Sequence, residues 1–362
     1  MVYLGWDIGG VHLKLSVLRR AGGGEANLRS SIVPFEIWRD PCALEGRLRS
    51  MLREACAGRE GRGARVAAVE HGVTMTAELS DVFSSRAEGV RAVLRACAAA
   101  LDGAPIRVLD REGRFLAPAE AMERPLAVGA ANWVATARLA ARLASPAILI
   151  DVGSTTTDIV ALLDGNPRPA GMTDTARLMS GELVYTGLLR TPPSSLADLV
   201  PLRGCLCRVS PEHFTITGDV YRVLGRICES EYTVPTPDGR GKGLRESAAR
   251  LARLVCADPG DLGEEEILGI ARFLEDRQID RIADALRQVL SRLPDAPPAE
   301  AVVAGVGGFL AEEAAARAGL RPRRLAALLP AVSGAAWDVA APSAALALLL
   351  AERDGRIALG PR

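Results

Sequence analysis

Residues 147–163 decide the fold, and they read AILIDVGSTTTDIVALL. Apolar and β-branched residues on both sides predict two neighbouring strands, and Gly153 permits a tight turn between them. The turn offers backbone N–H groups and a row of hydroxyls, those of Ser154, Thr155, Thr156 and Thr157. Such a donor-rich concavity suits an anion, above all phosphate. Asp151 and Asp158 flank the turn, and carboxylates beside an anion indicate a divalent cation between them.

A second copy of this pattern lies at residues 2–18, which read VYLGWDIGGVHLKLSVL. Three pairs of positions correspond: Asp7 with Asp151, Gly9 with Gly153, and Lys14 with Asp158. The repeat predicts two similar domains that face a shared cleft, with opposite charges on its two sides. We place domain I at residues 1–126 together with a C-terminal helix at 340–362, and domain II at residues 127–339.

The composition narrows the class of protein. A length of 362 residues suggests about two domains. The 44 Lys and Arg residues balance 44 Asp and Glu residues, which argues against a nucleic-acid partner. The seven cysteines form no C-x-x-C pair. We find no signal peptide and no apolar run of the ~18 to 20 residues that a membrane span needs. We therefore expect a cytoplasmic protein without a membrane partner.

Hydrophobic periodicity elsewhere predicts alternating strands and helices, and hence an α/β fold. Strands are expected at 65–74, 106–109 and 301–304. Helices are expected at 40–58, 86–101, 127–143, 180–189, 243–256, 263–272, 275–292, 309–318 and 342–353. A glycine-rich loop is expected at 21–27, and the helix at 127–143 would bridge the two domains.

A third glycine-rich turn, Gly305-Val306-Gly307-Gly308, joins a predicted strand to a predicted helix. Alone it is a weak signal, because it fits either tight helix–strand packing or a helix N-terminus that faces a ligand. Neither of the two Asp-Gly turns is a P-loop, because no Gly-Lys-Ser or Gly-Lys-Thr follows. Both lead into strands, which excludes a dinucleotide fingerprint.

Together the three turns resemble the phosphate-1, phosphate-2 and adenosine motifs of the acetate kinase, sugar kinase, Hsp70 and actin superfamily. The resemblance implies two ribonuclease H-like (actin-like ATPase) domains with a ligand cleft between them. It implies phosphate contacts from all three turns, namely Gly9, Gly10, Lys14, Gly153, Ser154, Thr155, Thr156, Thr157, Gly305, Gly307 and Gly308. Mg²⁺ would be held by Asp7, Asp151 and Asp158, of which Asp7 and Asp151 would serve catalysis through the metal. Whether ATP binds is left open.

Three further motifs resemble the hydantoinase/oxoprolinase-like branch of that superfamily: TMTAELSDVF at 74–83, GDVYRVLG at 218–225 and TPDGRGK at 236–242. With Asn132-Trp133 they are similar to the branch member linked to the tetrahydromethanopterin one-carbon pathway. This resemblance implies an ether-forming transferase of methanofuran biosynthesis. Its substrates would be an aminomethylfuran-methyl diphosphate and the phenol of γ-glutamyltyramine, and diphosphate would be released. Thr217-Gly218 and residues 205–207 depart from the branch pattern.

This chemistry benefits from a general base, because a phenol has a pKa near ~10. The candidate bases are Glu78 and Asp81, which a helix would place on one face; a helix cap and surface charge are the alternative. The expected substrate contacts are Thr74, Thr76, Asp219, Asp238 and Arg240, although the loop around Arg240 also fits a plain surface turn. Tyr221 lines the same pocket or belongs to the core.

Other functions and side-chain roles stay open at this point. One rival is an ATP-dependent enzyme of the same fold, a small-molecule kinase with Asp81 as its catalytic carboxylate or a hydantoinase/oxoprolinase-type enzyme. Another is a non-enzymatic nucleotide-binding regulator. Cys205 and Cys207 fit buried thiols better than a zinc site, and His12 and His71 are expected to be structural. The oligomeric state is open, with a homodimer among the options.

Overall fold

The computed structural model describes residues 2–20, 26–56, 69–101, 104–293, 297–334 and 336–359. Most of the predicted loop at 21–27 lies outside these residues, as do the start of the predicted strand at 65–74 and the end of the predicted helix at 40–58. Contacts divide the chain into two compact units. Unit 1 comprises Met1–Leu149, Val160–Asp174 and Arg323–Arg362, and unit 2 comprises Ile150–Ile159 and Thr175–Pro322. The predicted domain boundaries at residues 126 and 339 stay predictions.

The described residues form strands and helices in alternation. The strands are β1 (Val2–Ile8), β2 (His12–Arg20), β3 (Ala26–Pro34), β4 (Val69–Met75), β5 (Ile106–Leu109), β6 (Phe115–Leu116), β7 (Ala147–Val152), β8 (Thr157–Leu163), β9 (Asn166–Pro167), β10 (Leu183–Val184), β11 (Leu199–Leu202), β12 (Cys205–Arg208), β13 (Glu300–Ala304), β14 (Arg321–Arg324) and β15 (Val332–Ser333). The α-helices are α1 (Leu44–Cys56), α2 (Arg86–Ala100), α3 (Pro118–Glu123), α4 (Pro125–Val128), α5 (Asn132–Leu143), α6 (Asp174–Ser180), α7 (Thr217–Val223), α8 (Leu244–Arg253), α9 (Glu264–Leu290), α10 (Gly308–Arg317) and α11 (Ala341–Arg353).

Two large sheets repeat one strand order. The first runs β15–β3–β2–β1–β4–β5–β6 and the second runs β10–β8–β7–β13–β14, with β9 beside β8. In the first sheet β1, β2 and β3 are antiparallel neighbours, whereas β1, β4 and β5 are parallel. Each sheet thus places its first strand at the centre, with the second and third on one side and the fourth and fifth on the other. This order, found twice, confirms the α/β class and the two ribonuclease H-like sheets.

Helices cover both faces of the first sheet. On one face Leu4, Trp6 and Ile8 of β1 alternate into a core shared with α1 and α2, as the period of a strand requires. On the other face α11 packs directly on β1. Gly5 allows this approach, because a Cβ there would lie 1.8 Å from Ser343 O. Close packing of the two elements fixes the end of β1, where Asp7 lies.

Four predicted helices differ from the structure. The helix expected at 180–189 is wrong: α6 ends at Ser180, Gly181 adopts a positive φ of 76°, and β10 follows. The two helices expected at 263–272 and 275–292 are one continuous helix, α9. The helix expected at 127–143 is interrupted, because Ala130 adopts a φ of 49° between α4 and α5. No helix among the described residues is long and apolar enough to cross a membrane.

Candidate functional site

Asp7 lies at the end of β1 and forms the centre of the first glycine turn. The strand register places it opposite Lys14 of β2 and opposite Thr74 of β4. Lys14 Nζ lies 2.9 Å from Asp7 Oδ2, and the carboxylate is almost fully buried. The N–H of Gly9 donates to the carbonyl of His12 at 3.0 Å, which closes the turn that follows β1. Asp7 and Lys14 are therefore an ion pair within unit 1.

Unsatisfied polar atoms cluster at the ends of β1 and β4. Four buried side-chain atoms there have no hydrogen-bond partner among the described residues: Asp7 Oδ1, Thr74 Oγ1, Glu78 Oε2 and Ser80 Oγ. The other such atoms of the described residues are Arg19 Nε and Arg177 Nε, which lie elsewhere in the sequence. Buried polar atoms rarely go unpaired, and ligands bind at the carboxyl ends of parallel strands. The cluster therefore indicates a ligand site, and it contains the predicted residues Asp7, Thr74 and Glu78.

Glu78 is the most deeply buried carboxylate of this cluster. It lies in a short 3-10 helix, Ala77–Leu79, directly after β4, and is 1% exposed. Its Oε1 accepts a hydrogen bond from the N–H of Ala130 at 2.7 Å. Burial raises the pKa of Glu78 to about 7, although that hydrogen bond acts in the opposite direction. A carboxyl group with this pKa can take up or give up a proton near neutral pH.

Two glycines make room for Glu78. A Cβ at Gly129 would lie 2.9 Å from Glu78 Oε1, and a Cβ at Gly89 would lie 2.7 Å from Glu78 Cα. Arg111 holds the first of these segments, because its Nε donates to the carbonyl of Gly129 at 2.9 Å. The interruption between α4 and α5 thus positions the Ala130 N–H on the carboxylate.

Asp81 does not share the environment of Glu78. The 3-10 helix ends before Ser80, whose backbone is extended (ψ 138°), and Asp81 is exposed. The predicted common helical face is therefore wrong, because no helix continues far enough to bring residues 78 and 81 together. Thr76, also predicted as a substrate contact, begins the 3-10 helix; its Oγ1 would lie 3.7 Å from a Cβ at Gly9.

The second and third glycine turns come together in unit 2. The N–H of Gly153 donates to Thr156 O at 2.8 Å, and residues 153–156 are half-buried. Gly305 lies against the start of this turn, because a Cβ there would lie 2.5 Å from Asp151 Oδ1. The N–H of Gly307 donates to Val152 O at 2.9 Å, and α10 begins at Gly308. Tight helix–strand packing is therefore observed, and it places a helix N-terminus beside the second turn; a ligand at that N-terminus stays a prediction.

Two residues of the second turn have other roles than those predicted. Thr157 is fully buried, and its hydroxyl donates to Thr186 O at 2.8 Å, so it does not offer that proton to a phosphate. Asp158 forms an ion pair with the buried Arg177, at 2.7 Å between Oδ1 and Nη1. The predicted opposite charges, Lys14 and Asp158, are thus each neutralised within their own unit.

The donor set fits Mg²⁺ only in part. The unpaired, buried Oδ1 of Asp7 suits a cation or its water, whereas Oδ1 of Asp158 already forms an ion pair with Arg177. No group of three or more His, Cys, Asp or Glu residues suited to a metal occurs in the described ranges. Mg²⁺ commonly takes one or two carboxylates and completes its shell with phosphate oxygens and water. Asp7 and Asp151 each stay predicted ligands, whereas the Oδ1 of Asp158 is already engaged by Arg177.

The predicted substrate contact Asp219 is instead the centre of a buried ion pair. Arg250 donates to Asp219 Oδ1 from Nε at 2.9 Å and from Nη2 at 2.7 Å, and Tyr232 donates its hydroxyl at 3.0 Å. Both charged side chains are almost fully buried. Asp219 is therefore structural, because all three donors belong to the interior of unit 2.

The loop at 236–242 is a surface turn. Arg250 Nη1 donates to Asp238 Oδ1 at 3.0 Å, and the side chain of Arg240 is 70% exposed. Tyr221 belongs to the core, where its hydroxyl donates to Gln278 Oε1 at 2.6 Å. The loop at 236–242 is thus the plain surface turn given as its alternative, and Tyr221 has the core position given as its alternative.

The last predictions to compare with the structure concern Cys205, Cys207 and His71. Cys205 is exposed and Cys207 half-buried, so the expectation of buried thiols is wrong for this pair. His71 accepts a hydrogen bond from Trp6 Nε1 at 2.9 Å, and burial lowers its pKa to about 4. A neutral, buried histidine is the structural residue that was expected.

Sequence reasoning missed Arg190. Its Nη1 lies 3.5 Å from Thr155 Oγ1, beside the second turn, and its side chain is half-buried. The helix wrongly predicted at 180–189 gave no reason to place Arg190 beside the second turn. The β-branched residues Val184 and Thr186 after Gly181 were the available signal for a strand and loop.

The fold is that of a two-sheet α/β protein with glycine turns at the ends of its strands, and comparisons with known proteins specify its family. The hydantoinase/oxoprolinase family model matches residues 70–352, so the chain belongs to that family. A Methanocaldococcus jannaschii protein is 34% identical over 294 residues, which cover 81% of this chain and 83% of that relative. A Methanococcus vannielii protein is 39% identical over 142 residues, which cover 39% of this chain and 64% of that relative.

Both relatives carry the same description. Each is a (4-{4-[2-(γ-L-glutamylamino)ethyl]phenoxymethyl}furan-2-yl)methanamine synthase. Among solved structures, the ethanolamine utilization protein EutJ of Carboxydothermus hydrogenoformans aligns with 96% of this chain and 89% of its own. The TM-score is 0.46 and the two chains are 15% identical.

Proposed function

We propose that this protein is an enzyme of methanofuran biosynthesis that forms the phenoxymethyl-furan ether. The observation that carries the proposal is 34% identity, across 81% of the chain, to a synthase whose name contains that ether. The proposed substrates are an aminomethylfuran-methyl diphosphate and γ-glutamyltyramine. A cytoplasmic location and a homodimer stay predictions.

The proposed reaction is a displacement at carbon. The phenol oxygen forms a bond to the furanylmethyl carbon, and the bond from that carbon to the bridging oxygen breaks. Diphosphate leaves with the electron pair, and the phenol proton passes to a base. Departure of the leaving group runs ahead of attack, because the furan ring stabilises positive charge on the methyl carbon.

Glu78 is the base that the geometry supports best. Its Oε1 is fixed by the Ala130 N–H at 2.7 Å, while its Oε2 has no partner in the described part of the chain. The raised pKa, about 7, matches a group that must accept a proton near neutral pH. Asp81 lacks this fixed and buried position, because it is exposed and outside the 3-10 helix.

The turn at 153–156 suits the diphosphate. Backbone donors and hydroxyls fixed in place stabilise the negative charge that develops on a leaving group. Mg²⁺ would neutralise further charge on that group, and Asp7 and Asp151 are each candidate ligands for it. The residues of the turn then act by orientation, since Gly153, Gly305 and Gly307 fix its backbone.

The test is a reaction of the purified chain with both organic substrates and Mg²⁺ in the absence of nucleotide. We expect ether and inorganic diphosphate in equal amounts. A strict requirement for ATP with formation of ADP would overturn the proposal and favour an ATP-dependent enzyme of the same family. Hydrolysis of ATP without any organic acceptor would overturn it in favour of a nucleotide-binding regulator.

A further inference from the structure

We propose that Arg190 supplies the positive charge that binds the ligand's diphosphate at the 153–156 turn. The diphosphate ligand rests on the proposed function, whereas the anion site rests on the geometry of unit 2 alone. No motif of the sequence assigns a role to Arg190. The juxtaposition that carries the inference is the approach of residues 187–190 to the turn.

Three consecutive main-chain N–H groups fasten the Arg190 segment to the turn. Leu188 donates to Gly153 O at 2.9 Å, and Leu189 and Arg190 both donate to Ser154 O, at 3.0 and 3.1 Å. The backbone of Arg190 is therefore fixed relative to the residues that would cradle a phosphate. Such preorganisation lowers the entropic cost of holding a long side chain at a ligand.

Gly187 makes the close approach of the two segments sterically feasible. A Cβ at this position would lie 2.6 Å from both the N and the C atoms of Thr155, and 2.7 Å from Gly153 O. Contacts that short do not occur with a side chain present, so any larger residue must push the loop away from the turn. The glycine is needed for space, since its φ is not in the left-handed region.

A buried hydrogen-bond network fixes the carbonyl group of Gly187. Gln278 Nε2 donates to Gly187 O at 2.8 Å and to Thr186 Oγ1 at 2.9 Å. The hydroxyls of Thr191 and Thr217 also donate to Gly187 O, at 3.2 and 3.1 Å. This network spans several elements of unit 2, and it keeps the loop in one position.

The second turn gains no positive charge from the residue that corresponds to Lys14, so a cation that binds phosphate there must come from another segment. Asp158 occupies the position that corresponds to Lys14, and it is neutralised by Arg177 at 2.7 Å. The repeat therefore supplies no cation to the second turn. Arg190 Nη1, 3.5 Å from Thr155 Oγ1, brings a guanidinium to that place. A planar guanidinium binds two phosphate oxygens at once, which an ammonium group cannot do.

The test measures binding of inorganic diphosphate to the full-length chain by calorimetry, with and without Mg²⁺. We expect Arg190→Gln to weaken binding at least about tenfold, and Arg190→Lys to weaken it less, because a charge remains without the fork. Arg168→Gln is the matched control: the side chain of that exposed arginine forms a surface pair with Asp164, and its loss should change affinity by less than about twofold. Circular dichroism verifies that each variant is folded.

The outcomes separate this inference from the proposed function. Unchanged diphosphate affinity in folded Arg190→Gln overturns the inference, even if the ether is formed. Failure of the wild-type chain to bind diphosphate overturns it as well. A selective loss of affinity in Arg190→Gln supports it, even if the ether assay fails and only the proposed function is lost.

Discussion

Glu78 accepts the N–H of Ala130 through Oε1 at 2.7 Å, and its Oε2 is buried without a partner among the described residues. The hydrogen bond orients the carboxylate, and the second oxygen is left for a ligand or a proton. Burial supplies the raised pKa of about 7. This one relationship gives three properties that a general base requires: a fixed position, a vacant acceptor and a suitable pKa.

Glu78→Gln should therefore abolish most of the catalysis while keeping the fold. The amide retains the shape and the acceptor for Ala130 but cannot take up the phenol proton, so we expect kcat/KM to fall by about 100-fold or more. In the wild type, kcat/KM should rise with pH through about 7, where Glu78 loses its proton, and this limb should be absent from the variant.

Asp81→Asn is the control for that variant. Asp81 is exposed three residues later, and its replacement should change kcat/KM by less than about twofold. A Glu78→Gln enzyme with nearly wild-type activity, or a large loss confined to Asp81→Asn, would show that the base has been assigned to the wrong residue.

Glu78 should also make stability depend on pH in a defined direction. Its pKa is raised from 4.5 to about 7, so the folded state binds the proton more tightly than the unfolded state does. The resulting stabilisation is complete below pH 4.5 and is lost as the pH rises through 7. The change amounts to about 3 kcal/mol in the free energy of unfolding.

Urea unfolding of wild type and Glu78→Gln between pH 4 and 8 measures this effect. The variant should gain about 3 kcal/mol relative to the wild type across that range, because Gln does not titrate. His71, whose pKa is lowered to about 4, loses its contribution as the pH falls below 6.5. That loss occurs in both proteins and cancels in the difference. A difference that is constant with pH would refute the burial of Glu78.

Gly187→Ala tests the contact between the loop and the second turn. Its Cβ would lie 2.6 Å from Thr155 N, so we expect the loop to shift, with a loss of about 1–3 kcal/mol of stability and weaker diphosphate binding. Gly269→Ala, in α9 of the same unit, has no atom within 4 Å of its Cβ. It should raise stability by about 0.5–1 kcal/mol and leave diphosphate binding unchanged. Equal effects from the two variants would contradict the packing described.

Asp219→Asn should destabilise the protein without a specific effect on substrate binding. The substitution leaves the buried Arg250 guanidinium without its buried carboxylate partner, at a cost of about 3–5 kcal/mol. Asp238→Asn removes a partly exposed partner of the same arginine and should cost less than about 1 kcal/mol. Thermal unfolding and KM measured below the transition distinguish the roles. A stable Asp219→Asn protein with a raised KM would restore the predicted substrate contact.

Local sequence signals predicted the elements of the fold well. Apolar runs that end in Asp and Gly produced both turns, because strand alternation and a tight turn depend on adjacent residues. The two predicted helices at 263–272 and 275–292 are one helix, α9, because no strong breaker occurs between them and charged residues continue the helix.

The site was predictable only where it was local. Asp7 and Gly153 were proposed from their own turns, whereas the ion pairs of Asp158 and Asp219 were not foreseen, because their partners, Arg177 and Arg250, lie 19 and 31 residues away. A carboxylate in a motif looks the same in sequence whether it meets a ligand or a buried arginine. Arg190 was missed for the same reason, since the backbone bonds that hold it at the turn are not visible in the sequence.

The most direct measurement of the central claim follows an oxygen label. The furan diphosphate is prepared with ¹⁸O in the bridge between the methyl carbon and phosphorus, and it is incubated with the protein, γ-glutamyltyramine and Mg²⁺. Displacement at carbon predicts that all of the label leaves in the diphosphate and that the ether oxygen, derived from the phenol, is unlabelled. Label retained on the furanylmethyl carbon, or no ether without ATP, would contradict the account.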